Sequence, residues 1–395
     1  MSASPSGKTA VVIPTRNRAD LAMTAIRSVI SQPVSELQLI VSDNSTDDAN
    51  RTVLEEFCRQ LADPRVVYVR PPNALPMTAH WEWAIHQALA LPDLAHVVYL
   101  TDRSMFKPGE LAHIIELARR NPGKVISYDW VTIFDHLDPI LVERREHTGR
   151  VIDVTAERLL YLSSQSLIPN CLPRLMNACV PRSVVESVLK EFGSVFASIS
   201  PDYHFCYRCL AVVDSILYYD AAAFVSYAIL RSNGVSTIGM STPATVDFNS
   251  QLTLNKSTRS FAAPVPAFET FANYALHEYC LVKEESADPR FHEVDREKYL
   301  ARNASEAASN GDVQLKREKQ TLLKAHGWRP FQQRLVELRT SLSLRTRARK
   351  LLRLQWPVIS TEIGPFGSLE EAINYAIRIP LSEDSSAYHL RLLRD

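Results

Sequence analysis

The chain has 395 residues, of which 46% are hydrophobic and 22% charged, and its 44 basic side chains balance its 44 acidic ones. The length predicts more than one domain, and the balanced charge gives no general attraction to nucleic acid. The sequence lacks the ~20 consecutive apolar residues of a membrane-spanning helix and has no secretory leader pattern, so we expect a cytoplasmic protein. Its six scattered cysteines fit reduced thiols, with Cys206 and Cys209 as a helical pair.

The first 120 residues alternate between short apolar runs and amphipathic patterns. Strands are predicted at 9–14, 37–43, 65–70 and 96–102, and helices from Asp20, at 51–61, at 78–91 and at 108–120. This order predicts an α/β fold with a Rossmann-like, mainly parallel sheet flanked by helices. Ligands of such sheets gather at the carboxyl ends of the strands, and here polar residues follow the apolar runs at 15–17, 43–45 and 101–104.

The rest of the chain changes character near residue 246. Residues 124–245 mix short strands and helices, including helices near 182–192 and 200–213. Beyond them, helical patterns occur at 266–284, 295–309, 313–326, 330–353 and 367–379, with a breaker, GPFG, at 364–367. We predict a catalytic domain over 1–245, with a nucleotide-binding half at 1–120 and an acceptor half at 121–245. An α-helical C-terminal module is expected over 246–395.

Neither of the common glycine-rich phosphate loops occurs, and the chain has only 11 glycines. Dinucleotide-dependent and P-loop enzymes are therefore disfavoured. Acidic and amide side chains stand at the strand ends instead, and these can recognise a nucleoside through hydrogen bonds.

Two motifs in register resemble one enzyme family. VVIPTRNR at 11–18 and VSDNSTDD at 41–48 are similar to motifs of inverting GT-A glycosyltransferases of family 2, with good similarity over about 8–120 and weaker similarity over 120–230. The resemblance implies a GT-A fold and a role in polysaccharide biosynthesis. The reaction it implies moves a sugar from a nucleoside-diphosphate sugar, UDP being favoured, to a hydroxyl of a glycan or glycolipid with inversion.

The resemblance also implies donor-binding roles for residues near the strand ends, namely Pro14, Thr15, Asn17 and Asn73. Asp43 would accept a hydrogen bond from a base N–H of uracil, thymine or guanine. An Asx turn is the alternative role for Asp43 and its neighbour Asn44, whereas Asp47 and Asp48 are expected to cap the next helix.

The fourth strand ends in LTDRS, where the family usually carries two metal-binding carboxylates. Asp102 matches the first acidic position and is the candidate metal ligand, but Arg103 occupies the neighbouring position. A divalent metal, Mn or Mg, is one way to neutralise a diphosphate leaving group, and a guanidinium is another. The sequence leaves open whether Arg103 serves as that cation or points to solvent while Asp102 alone binds metal.

By the same resemblance, SPDYHFCYR at 200–208 supplies the general base, Asp202. Its alternative role is that of an acidic residue favoured at a helix amino terminus. Arg208 and Arg231 are further candidates for phosphate contacts. The alternative to the enzyme is a nucleotide-sugar-binding protein without turnover, because Arg103 interrupts the metal motif, and a nucleotidyltransferase ranks third.

Two further segments have alternative explanations. Lys and Arg alternate with leucines over 330–353, which predicts either peripheral contact with an anionic inner membrane surface or a helix packed on the main domain. His80, Trp81 and Trp83 are expected to pack within their helix rather than to contact sugar.

Overall fold

The fold is known from a computed structural model that describes residues 7–232, 262–265, 270–308, 313–329 and 360–382, together with Leu390 and Leu393. The strands are β1 (Lys8–Thr15), β2 (Leu37–Asp43), β3 (Val66–Val69), β4 (Leu94–Tyr99), β5 (Ser104–Phe106), β6 (Ile126–Phe134), β7 (Ile140–Arg145), β8 (Val151–Thr155), β9 (Ala178–Pro181), β10 (Ser215–Ser226) and β11 (Ser360–Phe366).

The helices are α1 (Ala19–Ile30), α2 (Asp48–Leu61), α3 (Met77–Leu89), α4 (Glu110–Arg120), α5 (Ala156–Ser164), α6 (Arg182–Phe192), α7 (Pro201–Val212), α8 (Phe271–Ser286), α9 (Arg296–Ala308), α10 (Val313–Ala325) and α11 (Leu369–Ala376). A short 3₁₀ turn covers Ile229–Arg231. Among the described helices, none combines the length and the apolar surface needed to cross a bilayer.

The strands join into one mixed sheet. Its main path runs β3-β2-β1-β4-β9-β6-β7-β11, and β10 lies parallel to β6 while also pairing with β5 and β8. Strands β3, β2, β1 and β4 are mutually parallel, whereas β9 is antiparallel to both of its neighbours. This arrangement confirms the predicted α/β fold with a Rossmann-like first half.

Alternation along β1 shows how the sheet is buried on both faces. Ala10 and Val12 belong to one apolar cluster, and Val11 and Ile13 belong to another on the opposite face. Successive side chains of a strand point to opposite sides, so a continuous apolar run requires helices on both. Helices α1, α2 and α4 supply residues to the second cluster, while α3, α6 and α7 supply the first.

The predicted C-terminal module contains helices where the pattern placed them, at α8, α9, α10 and α11. Residues Ser360–Phe366, however, were expected to lie in a helical module with a breaker at 364–367. They form β11 instead, which pairs antiparallel with β7 of the main sheet. A register shift between Ile363 and Phe366 accommodates Gly364 and Pro365, and an edge strand tolerates proline because one of its sides makes no ladder bonds.

Candidate functional site

Three predicted site residues lie side by side where the parallel strands end. Thr15 and Asp43 are register partners at the ends of β1 and β2, next to the paired Pro14 and Ser42. Thr15 Oγ1 donates a hydrogen bond to Asp102 Oδ2 at 2.9 Å, just beyond β4. All these side chains are buried. The polar residues that follow three separate strands therefore converge at one edge of the sheet.

Asn17 ties the loop after β1 to the loop after β2. Its backbone N–H donates to Ser45 Oγ at 2.8 Å, and its Oδ1 accepts from the backbone N–H groups of Thr46 and Asp47 at 2.9 and 3.0 Å. The residue has φ 54°, a left-handed conformation that asparagine tolerates better than most residues. Asn17 thus organises the two loops around the strand ends.

Asp43 is completely buried beneath these loops. Its Oδ1 accepts the backbone N–H of Ser45 at 2.8 Å, which is the Asx turn that the sequence offered as an alternative. Its Oδ2 accepts the Tyr68 hydroxyl at 2.7 Å and lies 3.7 Å from Arg70 Nη1. Burial, together with the bond to Asp43, raises the pKa of Tyr68. A carboxylate oxygen can accept more than one hydrogen bond, so base recognition by Asp43 stays a prediction.

A side-chain clamp fixes the loop that follows β3. Asn44 Nδ2 donates to the Leu75 carbonyl at 2.7 Å, and Asn44 Oδ1 accepts the Leu75 N–H at 2.9 Å. Arg16 Nη1 donates to the same carbonyl at 3.1 Å. Asn73 lies two residues before this clamp with an exposed side chain. The clamp holds the 71–76 loop beside the strand ends.

Asp102 is surrounded by basic side chains. Arg18 Nη1 lies 3.4 Å from Asp102 Oδ1, and Arg103 follows directly in the chain. The sequence left two roles open for Arg103, and in one of them its side chain pointed to solvent. The structure does not show that orientation. Arg103 Nη1 donates to Ser226 Oγ at 2.8 Å and to the Tyr227 carbonyl at 3.3 Å. Burial lowers the pKa of Arg103 to about 10, so the guanidinium is charged at neutral pH.

These contacts do not fit a divalent metal at Asp102. One carboxylate oxygen accepts from Thr15, the other faces Arg18, and the neighbouring position supplies a guanidinium rather than a second carboxylate. Mg²⁺ and Mn²⁺ favour several oxygen ligands, and a dication here would be repelled by two fixed positive charges. In the part of the chain that the structure describes, no three His, Cys, Asp or Glu side chains are grouped to hold a metal ion.

Asp202 is the second residue of α7, and Pro201 begins that helix. Burial raises the pKa of the Asp202 carboxyl, and the nearby guanidinium of Arg174 acts in the opposite direction. The segment before α7 contacts the donor side, because Thr78 Oγ1 at the start of α3 donates to the Ser198 carbonyl at 2.8 Å. Helix α3 follows the clamped 71–76 loop directly, so this bond connects the two halves of the site.

Helix α8 fixes the amino-terminal end of α7 through buried charges. Glu278 is fully buried; its Oε1 accepts the Ser200 N–H at 2.8 Å and its Oε2 lies 2.7 Å from His204 Nδ1. His204 Nε2 lies 3.4 Å from Glu285 on the next turns of α8. Burial opposes the charged form of His204, but its bonds to Glu278 and Glu285 outweigh that effect and raise its pKa.

The two remaining candidate arginines form ion pairs within the protein. Arg208 is buried, with Nη2 2.9 Å from Glu285 Oε2 and Nη1 donating to the Ser194 carbonyl at 2.8 Å. Arg231 pairs with Asp20 of α1, its Nη2 lying 3.1 Å from Asp20 Oδ1. The donors of Arg208 join α7 to α8 and to the segment before α7, and a phosphate contact by Arg208 stays a prediction. Arg231 is partly exposed at the end of β10.

Several local expectations are confirmed. Asp47 caps α2 by accepting the Ala49 N–H at 3.0 Å, and Trp81 packs against Tyr99 with ring centroids 5.5 Å apart. Cys206 and Cys209 are buried within α7, and burial raises the pKa of both thiols. The basic segment 330–353 lies outside the described residues.

Residues 10–178 match the family described as Glycosyl transferase family 2. The segment, less than half of the chain, is similar to that family, in agreement with the resemblance of its two sequence motifs. It includes Asp43 and Asp102 but ends where β9 begins, before the helix that carries Asp202.

The relatives of the chain are remote. Protein CgeD of Bacillus subtilis (strain 168) is 27% identical over 119 residues, which are 29% of this chain and 27% of that protein. The crystal structure of S. aureus TarS is 12% identical and covers 84% of this chain and 55% of its own, with a TM-score of 0.42. TarS 1–349 in complex with UDP-GlcNAc is 13% identical, covering 82% and 93%, with a TM-score of 0.44.

Sequence reasoning missed three residues near this site, Arg18, Arg174 and Trp130, and it gave Asn44 an Asx turn rather than the contact with Leu75. Arg18 belongs to the first matched motif, so its position beside the candidates was a usable signal. Arg174 and Trp130 lie in segments without a motif, and only the folded chain brings them together, with the Arg174 guanidinium 4.5 Å from the Trp130 ring.

Proposed function

We propose that the chain transfers a sugar from a nucleoside-diphosphate sugar, with UDP as the favoured nucleotide, to a hydroxyl group of a glycan or glycolipid with inversion. The observation that carries this proposal is the convergence of Thr15, Asp43 and Asp102 at one sheet edge within the family 2 segment. Polar side chains gathered at the carboxyl ends of parallel strands are where an open α/β sheet binds its ligand.

Recognition of the base is assigned to Asp43. A carboxylate accepts hydrogen bonds and cannot donate them, so it favours a base that presents an N–H, such as uracil, thymine or guanine, over cytosine. The Asx turn and the Tyr68 hydroxyl hold the carboxylate in one orientation. A fixed acceptor discriminates well, because a base without the N–H would leave it unpaired.

Neutralisation of the leaving group is assigned to guanidinium groups. When the sugar–phosphate bond breaks, negative charge develops on the departing diphosphate and must be stabilised. Arg103 and Arg18 flank Asp102 at the end of β4, and arginine pairs with phosphate oxygens in a bidentate manner. We therefore propose transfer that needs no divalent metal.

Asp202 is proposed as the general base. Its carboxylate takes the proton of the acceptor hydroxyl while that oxygen bonds to the anomeric carbon, and the bond from the carbon to the diphosphate oxygen breaks on the opposite face. The electron pair leaves with the nucleoside diphosphate, so the anomeric configuration inverts. Burial raises the pKa of Asp202, which strengthens it as a base.

The first test is a thermal-shift comparison of UDP, dTDP, GDP, CDP and ADP, each with manganese and with chelator. A ligand that binds the native state raises its apparent stability. We expect a shift with UDP, dTDP or GDP that persists in chelator. No shift with any nucleotide would overturn the proposed donor, and a shift that disappears in chelator would overturn the metal-independent reading.

The competing function is nucleotide-sugar binding without turnover, which the Arg103 substitution in the metal motif favours. Incubation with the UDP-sugars that bind, together with a panel of glycan acceptors, separates the two by mass spectrometry. Sugar transferred to an acceptor supports the enzyme. Binding that yields neither transferred sugar nor free UDP supports the competing function.

A further inference from the structure

Asp102 and Arg103 occupy the centre of a tight turn between β4 and β5. The Ser104 N–H donates to the Thr101 carbonyl at 3.0 Å, and the hydroxyl oxygens of the same two residues lie 2.8 Å apart. A hydrogen bond between the first and fourth residues of a turn fixes the two residues between them. Because Asp102 also accepts from Thr15, the turn is attached to the edge where the parallel strands end.

The end of β10 binds this turn through both side chain and backbone. Arg103 Nη1 donates to Ser226 Oγ at 2.8 Å and to the Tyr227 carbonyl at 3.3 Å, while the Tyr227 N–H donates to the Arg103 carbonyl at 3.1 Å. Ser226 is 6% exposed and pairs with Ser104 in the antiparallel ladder between β10 and β5. The residue whose hydroxyl accepts from Arg103 is therefore fixed by the sheet itself.

The backbone beyond Ser226 is held by Asp135. Its Oδ2 and Oδ1 accept the N–H groups of Ala228 and Ile229 at 3.1 and 3.0 Å. Ala228 has φ 53°, a left-handed conformation that is costly for alanine and persists where surrounding contacts enforce it. The two bonds to Asp135 supply such contacts, so the segment that carries the Tyr227 carbonyl is held on both sides.

Anchoring through Nη1 leaves another edge of the Arg103 guanidinium for a ligand. Among the described residues, none accepts a hydrogen bond from Nε or Nη2, and neither atom is enclosed. The N–H bonds of these two nitrogens form a fork that pairs with two oxygens of one phosphate. Arg18, which lies 3.4 Å from Asp102, places a second positive charge beside the turn. The turn therefore presents two fixed donors and two positive charges.

We infer that Ser226 is a positioning residue for Arg103: its hydroxyl anchors Nη1, so that Nε and Nη2 face the diphosphate of the donor as a preformed fork. The inference rests on the proposed function, which assigns neutralisation of the leaving group to Arg103. Its physical basis is preorganisation, because a side chain that is already fixed loses less conformational entropy when phosphate binds. Asp135 contributes by holding the segment that follows Ser226.

A double-mutant cycle tests the anchor through binding alone. The affinities of UDP and uridine are measured by calorimetry in chelator for the wild type, Ser226→Ala, Arg103→Met and the double variant. We expect Ser226→Ala to weaken UDP binding about three- to tenfold and to leave uridine binding unchanged, since only UDP carries the diphosphate. In the Arg103→Met background the same substitution should have no further effect. An equal loss in both backgrounds, or no loss in either, would overturn the inference.

Two variants of the same shape separate the hydroxyl from the space that it fills. Ser226→Thr keeps the hydroxyl and should bind UDP as the wild type does, whereas Ser226→Val lacks it and should lose as much affinity as Ser226→Ala. This pair also decides the question if Ser226→Ala fails to fold, and equal UDP affinities in the two variants would contradict the anchor. Ser187→Ala is the matched control, because it removes an exposed hydroxyl from α6.

The cycle distinguishes failure of this inference from failure of the proposed function. Transfer of sugar by a protein in which Ser226 and Arg103 are not coupled would overturn the inference and leave the function standing. Coupling in a protein that transfers no sugar would refute the function and support the inference. UDP affinity that is the same in the wild type and in Arg103→Met would refute the role of Arg103, and the inference with it.

Discussion

Removing the Glu278 carboxylate should destabilise the protein strongly, because this fully buried group is a partner of the fully buried His204 and of the Ser200 N–H. In Glu278→Ala the Ser200 N–H loses its acceptor and the buried His204 loses its closest negative partner. A hydrogen bond to a charged group contributes about 1.5–3 kcal/mol, and breaking a buried ion pair costs about 3–5 kcal/mol. The two losses share one carboxylate and do not add, so we expect the free energy of unfolding to fall by about 3–5 kcal/mol.

The loss should also depend on pH. The pKa of His204 is raised above its usual 6.5 in the folded state, so its contribution to stability is fully present below about pH 6.5 and is lost as the pH rises through the raised value. Urea unfolding followed by tryptophan fluorescence, at pH 6 and at pH 9, measures both effects. The difference between wild type and Glu278→Ala should be larger at pH 6.

Glu284→Gln is the matched control, because it removes an exposed carboxylate from the same helix and should leave the unfolding midpoint unchanged. A loss in Glu278→Ala below about 1 kcal/mol, or one that is the same at both pH values, would refute the reasoning that a buried charge pair joins α8 to α7.

Three further predictions concern the reaction itself. Asp202→Asn should lower kcat by about 10²–10⁴-fold while UDP binding measured by calorimetry is unchanged, and near-normal turnover would reject Asp202 as the base. Asp43→Asn keeps one acceptor for its Asx turn and should weaken UDP binding by about tenfold, or about 1.4 kcal/mol, whereas equal affinity would place the base elsewhere. Wild-type transfer should continue in chelator and be lost in Arg103→Ala; restoration of the variant by manganese would show that metal can replace the guanidinium.

Much of the fold could be predicted because the relevant signals are local. Apolar runs of β-branched residues mark β1, β2 and β4, and amphipathic spacing marks α1, so the convergence of Thr15, Asp43 and Asp102 follows from the topology of parallel strands. Helices α6 and α7 were placed for the same reason. Each of these predictions needed only a short window of sequence.

What could not be predicted depends on contacts between distant segments. The orientation of Arg103 is set by Ser226 and Tyr227, which follow it by 123 and 124 residues in the sequence. The guanidinium of Arg174 packs against Trp130, which lies outside every motif, and against Tyr203, which a distant motif contains. A hydrophobic pattern within one strand or helix gives no information about side-chain contacts between segments that are distant in sequence.

The ion pair of Arg208 is another contact that a local pattern could not predict. Arg208 lies six residues after the proposed base, and in the folded chain it pairs with Glu285. Glu285 lies on a helix for which the sequence predicted only membership of a separate module.

The pairing of β11 with β7 has a consequence for how the molecule is made. The two strands are separated by roughly 200 residues of chain, and closing so long a loop carries an entropic cost that only the finished contact offsets. A ribosome releases residues 140–145 long before β11 emerges, so β7 spends that interval as an open sheet edge able to pair with another nascent chain. Arg144 and Arg145 at the end of β7 place positive charge on that edge, and charge is the usual protection of an unpaired strand.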